Sequence, residues 1–263
     1  MKHFVFFFCV LFCLKTSAQS RDEIFFNSDF EIVDEVSLAT YQGHKDGKNV
    51  KAYRSSGEIV MLGKYNSKNE KNGHFVYYSE NGSKQSEGCY KKNLLEGEWI
   101  NWFKDGSIDN RGFYNKGKRD GKWQWYFPNG QISCSEIYSK GNRVEANCWN
   151  VDGSISLDSL NWNQLPRLSI SNDSLLNFVL ENINYPVDAE LKKIEGIVRV
   201  RYLVEKDGKI TTIKITESLH PDIDNEAIRI VRMFPNYMPG KMHNRPIKAY
   251  FNLPITFSLE ESN

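Results

Sequence analysis

A repeat of 24 residues in the middle of the chain constrains its fold more than any other feature. The repeated unit pairs an aromatic run with a turn dipeptide, at residues 73–78 with Asn81-Gly82, residues 97–102 with Asp105-Gly106, and residues 121–126 with Asn129-Gly130. Asn-Gly and Asp-Gly between alternating aromatic runs favour hairpin turns, because these turns need positive φ. Each unit is therefore predicted to be a β-hairpin. Since a lone hairpin is marginal in water, the units must stack into one sheet.

A second series of the form Gly-x-Tyr runs in step with the first, at Gly63-Lys64-Tyr65, Gly88-Cys89-Tyr90 and Gly112-Phe113-Tyr114. Together the two series resemble the MORN-type repeats of bacterial secreted proteins. The resemblance covers residues 47–155, after an N-terminal lead-in at residues 19–46. It implies an all-β interaction or spacer scaffold without catalytic residues. Aromatic residues at equivalent positions are expected to form the stacked core; an exposed aromatic stripe that binds glycan or peptide is the alternative.

The first 18 residues are typical of a secretory signal peptide. Lys2 and His3 precede an apolar run at residues 4–14, and Thr16-Ser17-Ala18 offers small residues for cleavage. The apolar run is too short to span a bilayer as a helix, which needs about 20 residues. Cleavage after Ala18 is expected, with an uncleaved anchor as the alternative. The mature protein would then occupy an oxidising, extracytoplasmic space.

Three cysteines remain after residue 18, namely Cys89, Cys134 and Cys148. Cys134 and Cys148 lie symmetrically about the predicted turn at residues 140–143, so antiparallel pairing would bring them close. We predict that they form a disulfide and that Cys89 stays free. The sequence has no Cys-x-x-Cys motif and its histidines are scattered, so neither a metal site nor a cofactor is predicted.

From residue 156 the glycine–aromatic rhythm stops, and residues 156–170 are predicted to be a linker. Helices then alternate with strands over residues 171–263. Predicted helices cover residues 173–182, 187–193 and 221–233, and predicted strands cover residues 196–204, 209–216 and 246–259. These elements indicate a small α+β domain with helices on one face of a three-stranded antiparallel sheet.

A set of ordered motifs in this region resembles the C-terminal domain of the TonB energy-transducer family. The matching motifs are Tyr185-Pro186, Glu195-Gly196-Ile197-Val198, Asp207-Gly208, Glu217-Ser218, Pro239-Gly240 and Leu253-Pro254-Ile255-Thr256-Phe257. Two positions depart from the family pattern. Tyr237-Met238 replaces the tryptophan before Pro-Gly, and Asn244 replaces a glycine near the last strand.

The resemblance implies that the domain binds an extended peptide by adding it as a strand, as TonB-like domains do at the plug of outer-membrane receptors. The implied contacts form two groups, Asn182, Asn184, Tyr185 and Pro186 in the first, and Lys248, Ala249, Tyr250, Phe251, Asn252 and Leu253 in the second. Pairing of the last strand in a homodimer is the alternative use of the same edge.

Other function classes have less support in the sequence. The net charge of +1 argues against a nucleic-acid binder. No nucleophile motif, P-loop or zinc-protease motif is present, so no enzyme is predicted. In the TonB family, a membrane anchor and a long proline-rich spacer precede this domain. This sequence has a short signal-like segment and few prolines there, so the resemblance implies an adaptor without direct access to the proton gradient. A repeat-based envelope scaffold with no transport role is the alternative.

Overall fold

The computed structural model describes residues 23–157, 162–168 and 172–259. The predicted signal peptide at residues 1–18 and parts of the predicted linker lie outside these described residues. Within the described ranges, no helix combines the length and the apolar character needed to cross a bilayer. The chain divides into two compact units, one of Met1–Gly106 with Tyr114–Lys118 and one of Ser107–Phe113 with Arg119–Asn263.

The repeat region forms an antiparallel sheet of hairpins, as predicted from the repeat. The lead-in, for which no strands were predicted, adds three more strands, so that the sheet has twelve strands among the described residues. Its strands are β1 (Glu23–Phe26), β2 (Ile32–Val33), β3 (Tyr41–Asp46), β4 (Asn49–Tyr53), β5 (Ile59–Lys64), β6 (Gly73–Tyr78), β7 (Lys84–Lys91), β8 (Leu94–Trp102), β9 (Ile108–Asn115), β10 (Lys118–Tyr126), β11 (Ile132–Ser139) and β12 (Asn142–Cys148). From β3 onward the order in the sheet follows the chain, and β1 lies between β2 and β3.

One face of this sheet carries the aromatic core that the repeat predicts. Phe75 and Trp123 are almost fully buried, and Trp99 is only 8% exposed. In the first unit, Phe75 packs edge-on against Tyr90, which packs edge-on against Trp99. Stacked rings therefore supply the core of a thin sheet that has few aliphatic residues to bury.

The last hairpin of the sheet carries a disulfide. Cys134 on β11 lies directly opposite Cys148 on β12, with 4.0 Å between their Cα atoms, and the two are bonded. Both are fully buried, whereas Cys89 is exposed and unbonded.

The described residues of the C-terminal region form three helices and seven short or medium strands. They are β13 (Arg167–Leu168), α1 (Asn172–Asn182), α2 (Val187–Leu191), β14 (Gly196–Val204), β15 (Ile210–Glu217), α3 (Pro221–Arg232), β16 (Tyr237–Met238), β17 (Gly240–Met242), β18 (Arg245–Ile247) and β19 (Ala249–Phe257). Its main sheet has the order β15-β14-β19 and is antiparallel throughout. The predicted fold class is thus confirmed, and the predicted last strand is divided in two at Lys248.

Helix α3 supplies the core of this domain. Its apolar stripe, Ile223, Ala227, Ile230 and Val231, is fully buried. The stripe packs with the inward residues of β14 and β19, which include Val198, Val200, Tyr202, Val204, Ile255 and Phe257. Residues on the opposite face of the sheet, such as Ile197 and Tyr250, stay exposed.

Candidate peptide-binding edge

Strand β19 forms one border of the three-stranded sheet. It pairs along all nine residues with β14, from Ala249 opposite Val204 to Phe257 opposite Gly196. No strand among the described residues pairs with its outer side. Such an edge presents N–H and C=O groups that a further strand can bind.

The position of Pro254 indicates which groups face outward. Proline has no N–H to give to a ladder, so within sheets it occurs on edge strands with its nitrogen away from the partner strand. Because a residue in an antiparallel ladder points both backbone groups to the same side, and this side alternates along the strand, Tyr250 and Asn252 share the outward orientation of Pro254. The outer edge of β19 therefore offers N–H and C=O groups at Tyr250 and Asn252 and a carbonyl at Pro254.

The side chains of β19 alternate between the two faces of the sheet. Ala249, Phe251 and Leu253 face the helices and are half-buried, whereas Tyr250 and Asn252 are exposed on the other face. Phe251 stacks on Tyr202, with 5.8 Å between the ring centroids. Phe251 thus belongs to the edge of the core, and Tyr250 and Asn252 belong to the surface.

An apolar groove of about 400 Å³ lies between α1 and the C-terminal half of β19. It is lined by Leu175, Leu176, Val179, Leu180, Ile183 and Tyr185 and by residues 253–258. Leu176 is 59% exposed and Leu180 is 63% exposed. The groove therefore continues the free backbone edge as an apolar surface open to solvent.

Tyr185 lies at the junction of this groove with the sheet. Its ring packs edge-on against Phe257, with 5.8 Å between centroids, and its hydroxyl donates a hydrogen bond to the Ile194 carbonyl. The structure therefore brings Tyr185 together with Leu253 in the groove lining. Ala249, which begins the strand, and Lys248, which precedes it, are not among the lining residues.

The segment that precedes Tyr185 is held by a charged pair on α3. Glu226 is nearly buried and accepts a hydrogen bond from the Asn184 N–H at 2.7 Å, while Arg229 donates to the Asn182 carbonyl. Glu226 and Arg229 also form an ion pair at 2.7 Å. Burial raises the pKa of Glu226, but the hydrogen bonds from Arg229 and Asn184 outweigh it and place the pKa below its usual value.

Sequence reasoning missed Glu226 and Arg229 as positioning residues. Their signal was present, because Glu226 interrupts the apolar stripe of α3 next to Ala227. A carboxylate on a buried helix face needs a partner, and Arg229 three residues later supplies one.

Three further predicted residues have defined partners. Lys248 forms an ion pair with Glu205 at 2.6 Å, which ties the start of β19 to the end of β14. The exposed Tyr250 ring lies 4.4 Å below the guanidinium of Arg201. The side-chain amide of Asn182 donates to the Phe178 carbonyl at the end of α1.

A cluster of Asp188, His220 and Asp222 has ligand-type atoms within 4.8 Å of one another. These side chains have structural roles already. Asp188 pairs with Lys192 at 2.7 Å, and the His220 ring nitrogen accepts the Asp222 N–H as the cap of α3. Capping and ion pairing account for the cluster without a metal.

Comparison with known protein families confirms both resemblances. Residues 181–259 match the family described as Gram-negative bacterial TonB protein C-terminal. Residues 71–92 and 119–140 match the family described as a MORN repeat variant. The first match contains the edge strand, the groove residues from Ile183 onward and the Glu226–Arg229 pair.

The chain is also similar to Protein TonB of Helicobacter pylori, with 28% identity over 96 residues. The match covers 35% of this chain and spans 32% of the length of that relative. A solution structure of the C-terminal domain of Helicobacter pylori TonB shares 24% identity with the chain, covering 36% of this chain and 88% of the other, with a TM-score of 0.28.

Proposed function

We propose that the C-terminal domain binds an extended peptide segment of an envelope protein by strand addition to the outer edge of β19. The observation that carries this proposal is the unpaired edge of β19 lying beside an open apolar groove. Backbone pairing supplies affinity for any extended segment, and the groove supplies selection for side chains.

The outward groups at Tyr250, Asn252 and Pro254 allow a short ladder with the added strand. Each hydrogen bond of this ladder makes a net contribution of about 0.5–1.5 kcal/mol to the binding free energy. Such a ladder alone is weak, since binding also costs the ordering of the peptide. Further affinity must come from side chains.

The groove can supply this affinity. Burial of one Val, Leu or Ile side chain against Leu176, Leu180 and Leu253 contributes about 1.5–3 kcal/mol. Because side chains alternate along a strand, every second residue of the peptide would face the helices. We therefore propose a peptide with apolar side chains at alternate positions.

The match of residues 181–259 to the TonB C-terminal family supports a TonB-like, non-catalytic protein of the Gram-negative cell envelope. We propose that its partner is the plug segment of an outer-membrane receptor and that residues 1–18 direct the chain to the periplasm. The partner-binding residues are those predicted from sequence, Asn182, Asn184, Tyr185, Pro186, Lys248, Ala249, Tyr250, Phe251, Asn252 and Leu253.

The experiment measures the affinity of full-length mature protein for fluorescein-labelled synthetic peptides copied from receptor plug segments of the same bacterium. Asn252→Pro removes one outward N–H, and Asn252→Ala is its matched control because it removes only the side chain. The proline variant should weaken binding about tenfold, as expected for one lost hydrogen bond with steric exclusion. The alanine variant should bind within about twofold of the wild type.

Equal affinities for Asn252→Pro and Asn252→Ala would contradict strand addition at this edge. Absence of peptide binding by the wild type, with envelope partners still captured by the Asn252→Pro variant, would favour the repeat-based scaffold. A proline-sensitive, concentration-dependent doubling of the mass in light scattering would assign the same edge to a homodimer.

A further inference from the structure

The turn between β17 and β18 contacts the last strands of the repeat sheet, and all residues involved belong to the second compact unit. The His243 ring stacks on Trp125 of β10, with 3.8 Å between centroids and 14° between the ring planes. Its Nδ1 lies 3.2 Å from an oxygen of Glu136 on β11. His243 therefore reaches from the C-terminal domain into the core face of the repeat sheet.

Glu136 forms the centre of this contact. It is fully buried and accepts hydrogen bonds from the Tyr138 hydroxyl at 2.7 Å and from Arg143 at 3.0 Å, besides its contact with His243. Burial raises its pKa, but the hydrogen bonds from His243, Tyr138 and Arg143 outweigh it and lower the pKa below its usual value. The ionised carboxylate therefore has hydrogen-bond partners both in the repeat sheet and in the C-terminal domain.

The residues after His243 extend the contact. Asn244 is nearly buried and donates its side-chain N–H to the Trp149 carbonyl at 2.8 Å. Arg245 donates to the Tyr126 carbonyl at 2.9 Å and pairs with Asp109. The two turn residues and the first residue of β18 therefore contact four different strands or strand ends of the repeat sheet.

The backbone conformation at the turn is compatible with these contacts. His243 and Asn244 have φ of 49° and 57°, the left-handed conformation at both positions of a tight hairpin turn. Glycine and asparagine are favoured in such turns, and histidine is also enriched in the left-handed conformation. The turn therefore accommodates His243 without special strain, and the ring contact with Trp125 and Glu136 is made in addition.

We propose that His243, Asn244 and Arg245 form a latch that fixes the C-terminal domain to strands β10–β12, so that these two parts move as one body. Strands β10–β12 then act as a rigid extension of the domain rather than as a flexible tether. Because Arg245 precedes β19 by only four residues, the latch also fixes the start of the edge strand. The latch requires no peptide partner.

The test uses ¹⁵N relaxation of the full mature chain to compare the rotational correlation times of β10–β12 and of β14, β15 and β19. In the wild type the two values should agree, and stacking on Trp125 should shift the His243 ring protons upfield. In the double variant His243→Asn with Arg245→Ala, the C-terminal strands should tumble faster. Amide exchange in β17 and β18 should rise about tenfold.

Controls separate loss of the latch from loss of fold. His74→Asn replaces an exposed histidine elsewhere in the sheet and should change neither value. Methyl shifts of Val198 and Ile230 report whether the C-terminal core stays folded. If the double variant fails to fold, Glu136→Gln is the second test variant, because it weakens the same contact from the repeat sheet. Different correlation times in the wild type, or equal ones in the folded latch variants, would overturn the proposal.

Discussion

Each glycine of the Gly-x-Tyr series lies beneath an aromatic ring of the following aromatic strand. A Cβ built on Gly63 would overlap the ring of Phe75, one on Gly88 the ring of Trp99, and one on Gly112 the ring of Trp123. The two series found in the sequence are therefore the two halves of one contact, repeated along the sheet. The glycine is required for space and not for its backbone angle, since none of the three has positive φ.

We predict that Gly88→Ala lowers the free energy of unfolding by about 1–3 kcal/mol, the usual cost of overpacking a filled core. Cys89→Ala is the matched control, because Cys89 is the next residue on the same strand and is exposed on the other face. Urea unfolding of both variants checks the difference. A Gly88→Ala variant as stable as Cys89→Ala would show that the Trp99 ring moves aside at no cost.

At the scale of the element, the division of the last strand shows what sequence patterns do not resolve. The pattern predicted one strand over residues 246–259, whereas β18 ends at Ile247 and β19 begins at Ala249. Lys248 lies at the break, and its ammonium group pairs with Glu205. Alternation of apolar residues continues through such a break, so periodicity cannot locate it.

The orientation of β19 leads to a prediction about its stability. If Tyr250, Asn252 and Pro254 point their backbone groups outward, proline at Asn252 costs no bond to β14, whereas proline at Phe251 removes one. We expect the free energies of unfolding of Asn252→Pro and Asn252→Ala to agree within about 1 kcal/mol, with the difference due to backbone geometry alone. We expect the free energy of unfolding of Phe251→Pro to be about 3 kcal/mol lower than that of Phe251→Ala.

Thermal unfolding of the four variants, followed by circular dichroism, measures both differences. Each alanine variant controls for the lost side chain, which matters at Phe251 because its ring packs on Tyr202 and Tyr237. A larger proline penalty at Asn252 than at Phe251 would reverse the assigned orientation and move the outward groups to Ala249, Phe251 and Leu253.

At the scale of the whole molecule, the sequence predicted the local elements, whereas it did not predict the contacts between residues far apart in the chain. The hairpins and the elements of the α+β domain follow from turn dipeptides and from periodicity, which are local. The contact between Glu226 and Asn184 joins residues 42 positions apart, and that between His243 and Glu136 joins residues 107 apart. Such pairs have no sequence spacing that marks them, so the latch was not predictable.

The thiols of the exported protein test the predicted signal peptide and the disulfide together. The chain has five cysteines, two of which, Cys9 and Cys13, lie within residues 1–18. If residues 1–18 are removed and Cys134 pairs with Cys148, the denatured, unreduced protein has one reactive thiol, at Cys89. Reduction should then raise the number of reactive thiols to three.

Mass spectrometry after alkylation of periplasmic protein measures both the thiol count and the N-terminus. Cytoplasmic chain from a Gln19 start is the control, because a reducing compartment should leave all three thiols reactive. Three reactive thiols in unreduced periplasmic protein would exclude the disulfide. A mass that retains residues 1–18 would exclude cleavage and would instead support an anchored chain, whose repeat strands would then lie between the anchor and the peptide-binding edge.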